Sequence, residues 1–255
     1  MRYIKLLIEY DGTNYQGWQT QRSGRTIQDI LKKTILSITD ENVKLTGASR
    51  TDAGVHAIEQ VAVFSTQSKL QADTISRAMN AKLPPDIRIL SAEDTEKYFH
   101  PRYDAVKKKY FYIIAAKSRQ SAFFSRYVWN VNMELDIYGM REAASFLSGQ
   151  HDFRSFRGSG CGAKTTVRKI ISLDIKELKK ISFMTVDMKG DFIKIKIEGD
   201  AFLRYMVRNI VGTLVEIGKG KIPPEKMKDI LAAYDRKLAG PTASAKGLFL
   251  EKITY

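Results

Sequence analysis

A chain of 255 residues, 44% hydrophobic and 27% charged, can bury one large core or two smaller ones. Its one cysteine, Cys161, excludes an internal disulfide and a thiolate metal cluster, which fits a reducing cytosol. Lys and Arg total 42 against 28 Asp and Glu, a formal net charge of +14, and the excess is uneven: residues 1–100 carry 13 basic and 12 acidic side chains, residues 101–255 carry 29 and 16. A basic half attracts polyanions by releasing their counterions, so nucleic acid is the leading partner, against the alternative of lysines that are merely solvated. Aromatics interleaved with arginine, clearest in His151-Asp152-Phe153-Arg154-Ser155-Phe156-Arg157, favour nucleic acid because such side chains stack on unpaired bases. Residues 1–5 enter a strand pattern at once and no stretch reaches membrane-spanning length, so a soluble, unprocessed, cytoplasmic protein is expected.

In chain order, Arg2–Tyr10 alternates as a strand and stops at the turn signal Asp11-Gly12. Thr26 caps a helix carrying Ile27, Ile30, Leu31, Ile35 and Ile38 at helical spacing. Residues 43–45 and 60–64 read as strands on either side of a glycine-bounded turn; 73–82 is a helix closed by Leu83-Pro84-Pro85, and 87–91 a strand. In the second half, 106–115 is a strand and 137–148 a helix, while 168–177, 182–188 and 192–198 read as strands. Helices over 202–217 and 224–233 and a strand over 248–253 complete the chain, and the glycine-rich span 157–166 reads as a mobile loop. The pattern predicts two similar α+β halves, residues 1–104 and 105–255, with predominantly antiparallel sheets and a cleft between them as the natural site.

Several motifs are rejected on chemistry. Gly158-Ser159-Gly160-Cys161-Gly162-Ala163-Lys164-Thr165 resembles a phosphate-cradling loop, but Ala163 separates the lysine from the last glycine. One cysteine and three scattered histidines cannot hold the zinc of a base deaminase. His56, His100 and His151 read as packing or hydrogen-bonding residues, and Trp18 and Trp129 as core. What stands out is Gly47-Ala48-Ser49-Arg50-Thr51-Asp52-Ala53-Gly54-Val55-His56-Ala57, where a carboxylate two positions after an arginine sits on a loop between strands. Alone, Thr-Asp-Ala-Gly would be an ordinary turn whose carboxylate bonds backbone N–H groups.

Those eleven residues resemble the signature of the tRNA pseudouridine synthase I (TruA) family. Tyr10-Asp11-Gly12-Thr13-Asn14-Tyr15-Gln16-Gly17-Trp18-Gln19 is similar to the family's opening, and Lys108-Lys109-Tyr110-Phe111-Tyr112 to its basic-aromatic strand. Phe202-Leu203-Arg204-Tyr205-Met206-Val207-Arg208-Asn209-Ile210-Val211-Gly212 and Ala245-Lys246-Gly247-Leu248 resemble its later motifs, so the likeness spans the chain. Thr20 stands where the family often has a basic residue, leaving that share of RNA contact to Arg22 and Arg25, and Ser49 replaces a frequent glycine.

The resemblance implies a pseudouridine synthase fold whose two halves flank a basic cleft, the nearly neutral 1–104 carrying the Asp52 loop and 105–255 most of the RNA contacts. It implies isomerisation of uridine to pseudouridine at positions 38, 39 and 40 of the tRNA anticodon arm, by a homodimer without cofactor or metal. Asp52 would be the essential carboxylate, Arg208 its ion-pair partner, Tyr110 the ring stacked on the target base, and Leu248 a floor beneath it; Arg50 would help open the RNA and fill the gap. The chemistry breaks N1–C1′, turns the uracil, joins C5 to C1′ and removes the C5 proton. A carboxylate can serve as nucleophile at C1′ or as base at C2′, and the Tyr110 hydroxyl is a candidate for the C5 proton. An adjacent guanidinium would keep the carboxylate ionised in a dry pocket. Composition and expected loop position nominate Lys107, Lys108, Lys109, Arg154, Arg157, Lys164 and Arg168 as phosphate contacts that support base extrusion. A non-catalytic RNA-binding module and an RNA glycosidase or nuclease are the competing classes.

Overall fold

Strand β1 (Arg2–Tyr10) sets the pattern of the first half: Ile4, Leu6 and Ile8 are fully buried and alternate with half-buried neighbours, the period of two expected of a strand with one face in a core. The structure, a computed structural model, describes residues 1–117 and 121–255. These form two units, Met1–Lys108 with Phe249–Tyr255, and Lys109–Leu248.

In the first unit β1 pairs antiparallel with both β3 (His56–Thr66) and β4 (Ile87–Thr95). The short β2 (Thr46–Gly47) joins β3 through Thr46↔Val63 and Gly47↔Ala62. Val43 and Leu45 are buried, but residues 43–45 make no strand ladder; their alternation reflects packing without pairing. Helix α1 (Ile27–Thr39) begins where Thr26 accepts the Asp29 N–H, buries Ile27, Leu31 and Ile35 completely, and ends at Asp40 in a left-handed conformation, φ 58°. Helix α2 (Ala72–Lys82) buries Ile75 and Met79, and its Asn80 side chain exchanges two 2.8 Å hydrogen bonds with the backbone of Ile89 in β4.

The second unit is built on β5 (Lys107–Ala115), β6 (Trp129–Asn130), β7 (Gly149–Asp152), β8 (Val167–Phe183) and β9 (Val186–Gly199), in the order β5-β9-β8-β7 with β6 parallel to β5. β8 and β9 form one long antiparallel hairpin, and the expected strand over 182–188 is its tip: Phe183 faces Val186, and Met184 turns the chain at φ 54°. Met184-Thr185 carries no glycine, proline or asparagine, so the apolar run reads straight through the turn. Helices α3 (Ile137–Ser145), α4 (Met206–Gly218) and α5 (Lys226–Ala233) complete this unit. α4 starts four residues later than its periodicity suggests because Tyr205 takes φ 61°, outside the helical region. Ile210 and Leu214 on α4 are fully buried.

The last strand, β10 (Leu248–Thr254), returns to the first unit, where Phe249 and Leu250 pair parallel with His56 and Ala57 of β3. A division at residue 104 cannot foresee that return, which depends on pairing between residues nearly two hundred positions apart in the chain. Ten strands, mostly antiparallel, and five α-helices make the fold among the described residues α+β. No helix among the described residues is long and apolar enough to cross a membrane.

Candidate active site

Asp52 sits half-buried on the loop between β2 and β3, and that loop is tied down at nearly every other residue. The Ala48 N–H donates to Val61 O at 2.8 Å, and the Ala48 carbonyl accepts from the Lys108 ammonium at 2.6 Å. Ser49 is held at both backbone groups by the Gln60 side chain, N–H to Oε1 at 3.1 Å and carbonyl from Nε2 at 2.7 Å. The Thr51 hydroxyl lies 2.7 Å from the Tyr10 hydroxyl, while its carbonyl accepts the Trp18 N–H at 3.0 Å. After Asp52 the chain turns back at Gly54, φ 77°, whose N–H donates to Tyr15 O, and the Val55 N–H closes on Asp52 O at 3.1 Å. Residues 48, 49 and 51 are thus fastened to the scaffold, whereas the Arg50 side chain is exposed.

Close approach is part of this design. Gly17 has φ 88°, and a Cβ there would lie 2.6 Å from Thr51 O. Gly47 lies directly against the Trp18 indole, which is 1% exposed and in the core, as the sequence suggests. His56 is 1% exposed; its Nδ1 accepts the Gly12 N–H at 3.1 Å, and its ring stacks on Phe249 at 4.6 Å, the packing role expected of it.

The second unit carries the other central residues. Tyr110, on β5, is 6% exposed, and Phe202 meets its ring edge to face at 5.2 Å, so the ring cannot reorient without repacking. Arg208, in the first turn of α4, donates from Nε to Ala243 O at 2.8 Å, and the Ala243 N–H returns to Arg208 O at 3.1 Å. Gly212, one turn on, lets the Pro241 carbonyl lie against the helix, which brings that segment within reach. The Arg208 guanidinium also sits 5.1 Å from the Tyr205 ring centre. Leu248 is 4% exposed at the start of β10. Near it, burial pushes the Tyr112 hydroxyl well above the ordinary tyrosine range, Arg208 opposing, and the group donates to Ser244 O at 2.6 Å.

The nominated phosphate contacts divide by exposure. Arg22, Arg25, Arg154 and Lys164 are exposed, with Arg25 over the Tyr15 ring at 5.0 Å and Arg154 over Tyr234 at 5.3 Å. Lys107, Lys109, Arg157 and Arg168 are half-buried. Lys108 is 6% exposed, and its ammonium donates to the Ala48 carbonyl, which makes it a brace of the Asp52 loop rather than a surface cation. A correction concerns residues 151–157: Phe153 and Phe156 are fully buried against one another, so they are core side chains and not base-stacking platforms. The supporting residues Gln60, Tyr10 and Lys108 escape a sequence reading of the loop, and the one signal for Gln60 is a polar residue heading the apolar run Val61-Ala62-Val63-Phe64.

The family model described as tRNA pseudouridine synthase matches residues 6–104 and 143–255, so the chain belongs to the tRNA pseudouridine synthase family, a class of isomerases. Within that class, the chain is similar over its full length to proteins named tRNA pseudouridine synthase A. They include a protein of Thermoanaerobacter sp. strain X514, 45% identical over all of both chains, and one of Thermodesulfovibrio yellowstonii, 43% identical over 99% of both. A third, from Geobacter sulfurreducens, is 41% identical over the whole of both chains.

Proposed function

We propose that this chain isomerises uridine to pseudouridine in the anticodon stem-loop of tRNA, at positions 38, 39 and 40, with Asp52 as the reacting carboxylate and no cofactor. It works as a cytoplasmic homodimer. The observation that carries the reading is the fastening of Ser49 and Thr51, which presents Arg50 and Asp52 on a fixed turn in a chain of this family.

The reaction is balanced within its substrate. Asp52 attacks C1′ and expels uracil through N1, or removes the C2′ proton to the same end; the uracil turns, and C5 bonds to C1′ as the carboxylate or the C2′ position is restored. C5 then loses its proton and N1 gains one, so no electrons leave the system. A base detached from its sugar has to be retained, and base stacking on an aromatic ring is worth about 1–3 kcal/mol. Tyr110, its ring braced by Phe202, is the platform, with Leu248 beneath the base and the Tyr110 hydroxyl as acceptor of the C5 proton. Arg208 keeps the Asp52 carboxylate charged. Within its own unit the guanidinium is held by Ala243 O and lies against the Tyr205 ring. Arg50 occupies the gap left in the stem, and Arg22, Arg25, Lys107, Lys109, Arg154, Arg157, Lys164 and Arg168 grip phosphates, while Lys108 braces the Asp52 loop through the Ala48 carbonyl.

The test is to incubate the enzyme with tRNA transcripts bearing uridine singly at positions 37 to 41 and to map pseudouridine by carbodiimide-dependent reverse-transcription stops. Product confined to 38, 39 and 40 is expected. Product elsewhere, or free uracil in place of product, would refute the site or the reaction.

A further inference from the structure

Gln60 is 0% exposed, and every hydrogen-bonding capacity of its amide is used. Oε1 accepts from Ser49 N at 3.1 Å and Val61 N at 3.2 Å; Nε2 donates to Ser49 O at 2.7 Å and to the Tyr10 hydroxyl at 3.4 Å. Because the Tyr10 oxygen accepts from Gln60, its own proton can be directed to the Thr51 hydroxyl 2.7 Å away. One buried amide therefore holds Ser49 directly and Thr51 through one hydroxyl. Ser49 and Thr51 are the residues on either side of Arg50, and Thr51 precedes Asp52.

The clamp sits at an irregularity in the sheet. Ile8 faces Gln60 but Tyr10 faces Ala57, so β3 inserts one extra residue between these pairs. Bulges of this kind re-aim side chains beside functional loops. A buried glutamine is an expensive way to fill a core: an apolar side chain of similar volume packs equally well and needs no partners. What the amide adds is direction, since two hydrogen bonds to the Ser49 backbone and one relayed through Tyr10 fix the loop in one conformation where apolar contacts would tolerate several.

We propose that Gln60, acting through Tyr10, is a positioning residue for the reaction: it sets the orientation of the Arg50-Thr51-Asp52 turn and so controls the rate of the chemical step rather than tRNA binding. The inference rests on Asp52 being the reacting carboxylate. Misplacing a reacting group by about 1 Å costs about 100-fold in rate, while phosphate contacts elsewhere are untouched.

The experiment measures kcat and KM for tRNA by steady-state kinetics, with the chemical step read separately in single turnover, in Gln60→Met, which keeps the volume and removes all four hydrogen bonds, and in Tyr10→Phe, which removes only the Thr51 arm. Both are normalised to folded protein by near-ultraviolet circular dichroism. Gln60→Met is expected to lose about 10- to 100-fold in kcat with KM within about twofold, and Tyr10→Phe to lose less, about 3- to 10-fold. A folded Gln60→Met with kcat within about twofold of wild type overturns the proposal, as does a loss confined to KM. Should Gln60→Met not fold, Tyr10→Phe decides, and kcat within about twofold of wild type in that variant overturns it. Asp52→Asn is assayed alongside: turnover there sinks the reading of Asp52, whereas an inactive Asp52→Asn beside an unaffected Gln60→Met sinks only the clamp.

Discussion

At Gly17 the backbone takes φ 88° and a Cβ would meet Thr51 O at 2.6 Å, so the residue before Trp18 is constrained by the loop that carries Asp52. Gly17→Ala should therefore destabilise by about 1–3 kcal/mol through strain and displacement of Thr51, with activity falling further than the folded fraction. Urea melts paired with rate measurements check this, and unchanged stability would show that the loop has slack. Tyr110 offers a second test at this scale. Removing its hydroxyl leaves the ring on Phe202, so Tyr110→Phe is expected to bind tRNA normally while releasing the C5 proton more slowly, as read by tritium exchange. Full activity would confine Tyr110 to stacking.

At the scale of elements, α4 shows both what sequence carries and what it conceals. Its apolar spacing announces a buried helix, yet the start is set by the left-handed Tyr205, a tertiary choice that no propensity encodes. Toward its end, Glu216 accepts from Lys219 at 2.8 Å and Lys221 at 3.0 Å; burial raises its pKa, but these ammonium partners outweigh it and hold the carboxyl below its ordinary 4.5. A depressed folded pKa gives stability that is complete above the unfolded value and is lost as pH falls through the folded one. Glu216→Gln should thus be less stable than wild type at pH 7, with the gap closing below pH 4.5. Denaturation at several pH values reads this, and a gap independent of pH would contradict it. Elsewhere, β1 and α1 were legible because alternation and the Thr26 cap are local signals. The β8–β9 tip was not, because Met184 turns without a turn residue, and Phe153 and Phe156 misled because arginine between aromatics looks alike in a core and on a surface.

At the scale of the whole molecule, the site was legible to the extent that it is contiguous: residues 47–57 form a recognisable run, whereas the clamp on that run draws on Tyr10, Gln60 and Lys108, which only the fold assembles. Charge is the other property of the whole chain. With 29 basic and 16 acidic side chains in residues 101–255, tRNA affinity should fall steeply and linearly on a log–log plot against salt. The exposed Lys164 should carry one phosphate contact, so Lys164→Ala should weaken binding and reduce that slope by about one, whereas a surface lysine outside the interface leaves the slope unchanged. An unaltered slope in Lys164→Ala removes that residue from the interface.

If the fastened turn presents Asp52 for the reaction, as proposed, Asp52→Asn loses the chemistry, and tritium release from tRNA labelled at uracil C5 reads this most directly. Binding within about twofold of wild type with no release above background is predicted. Release at the wild-type rate from a folded, tRNA-binding Asp52→Asn would contradict the account.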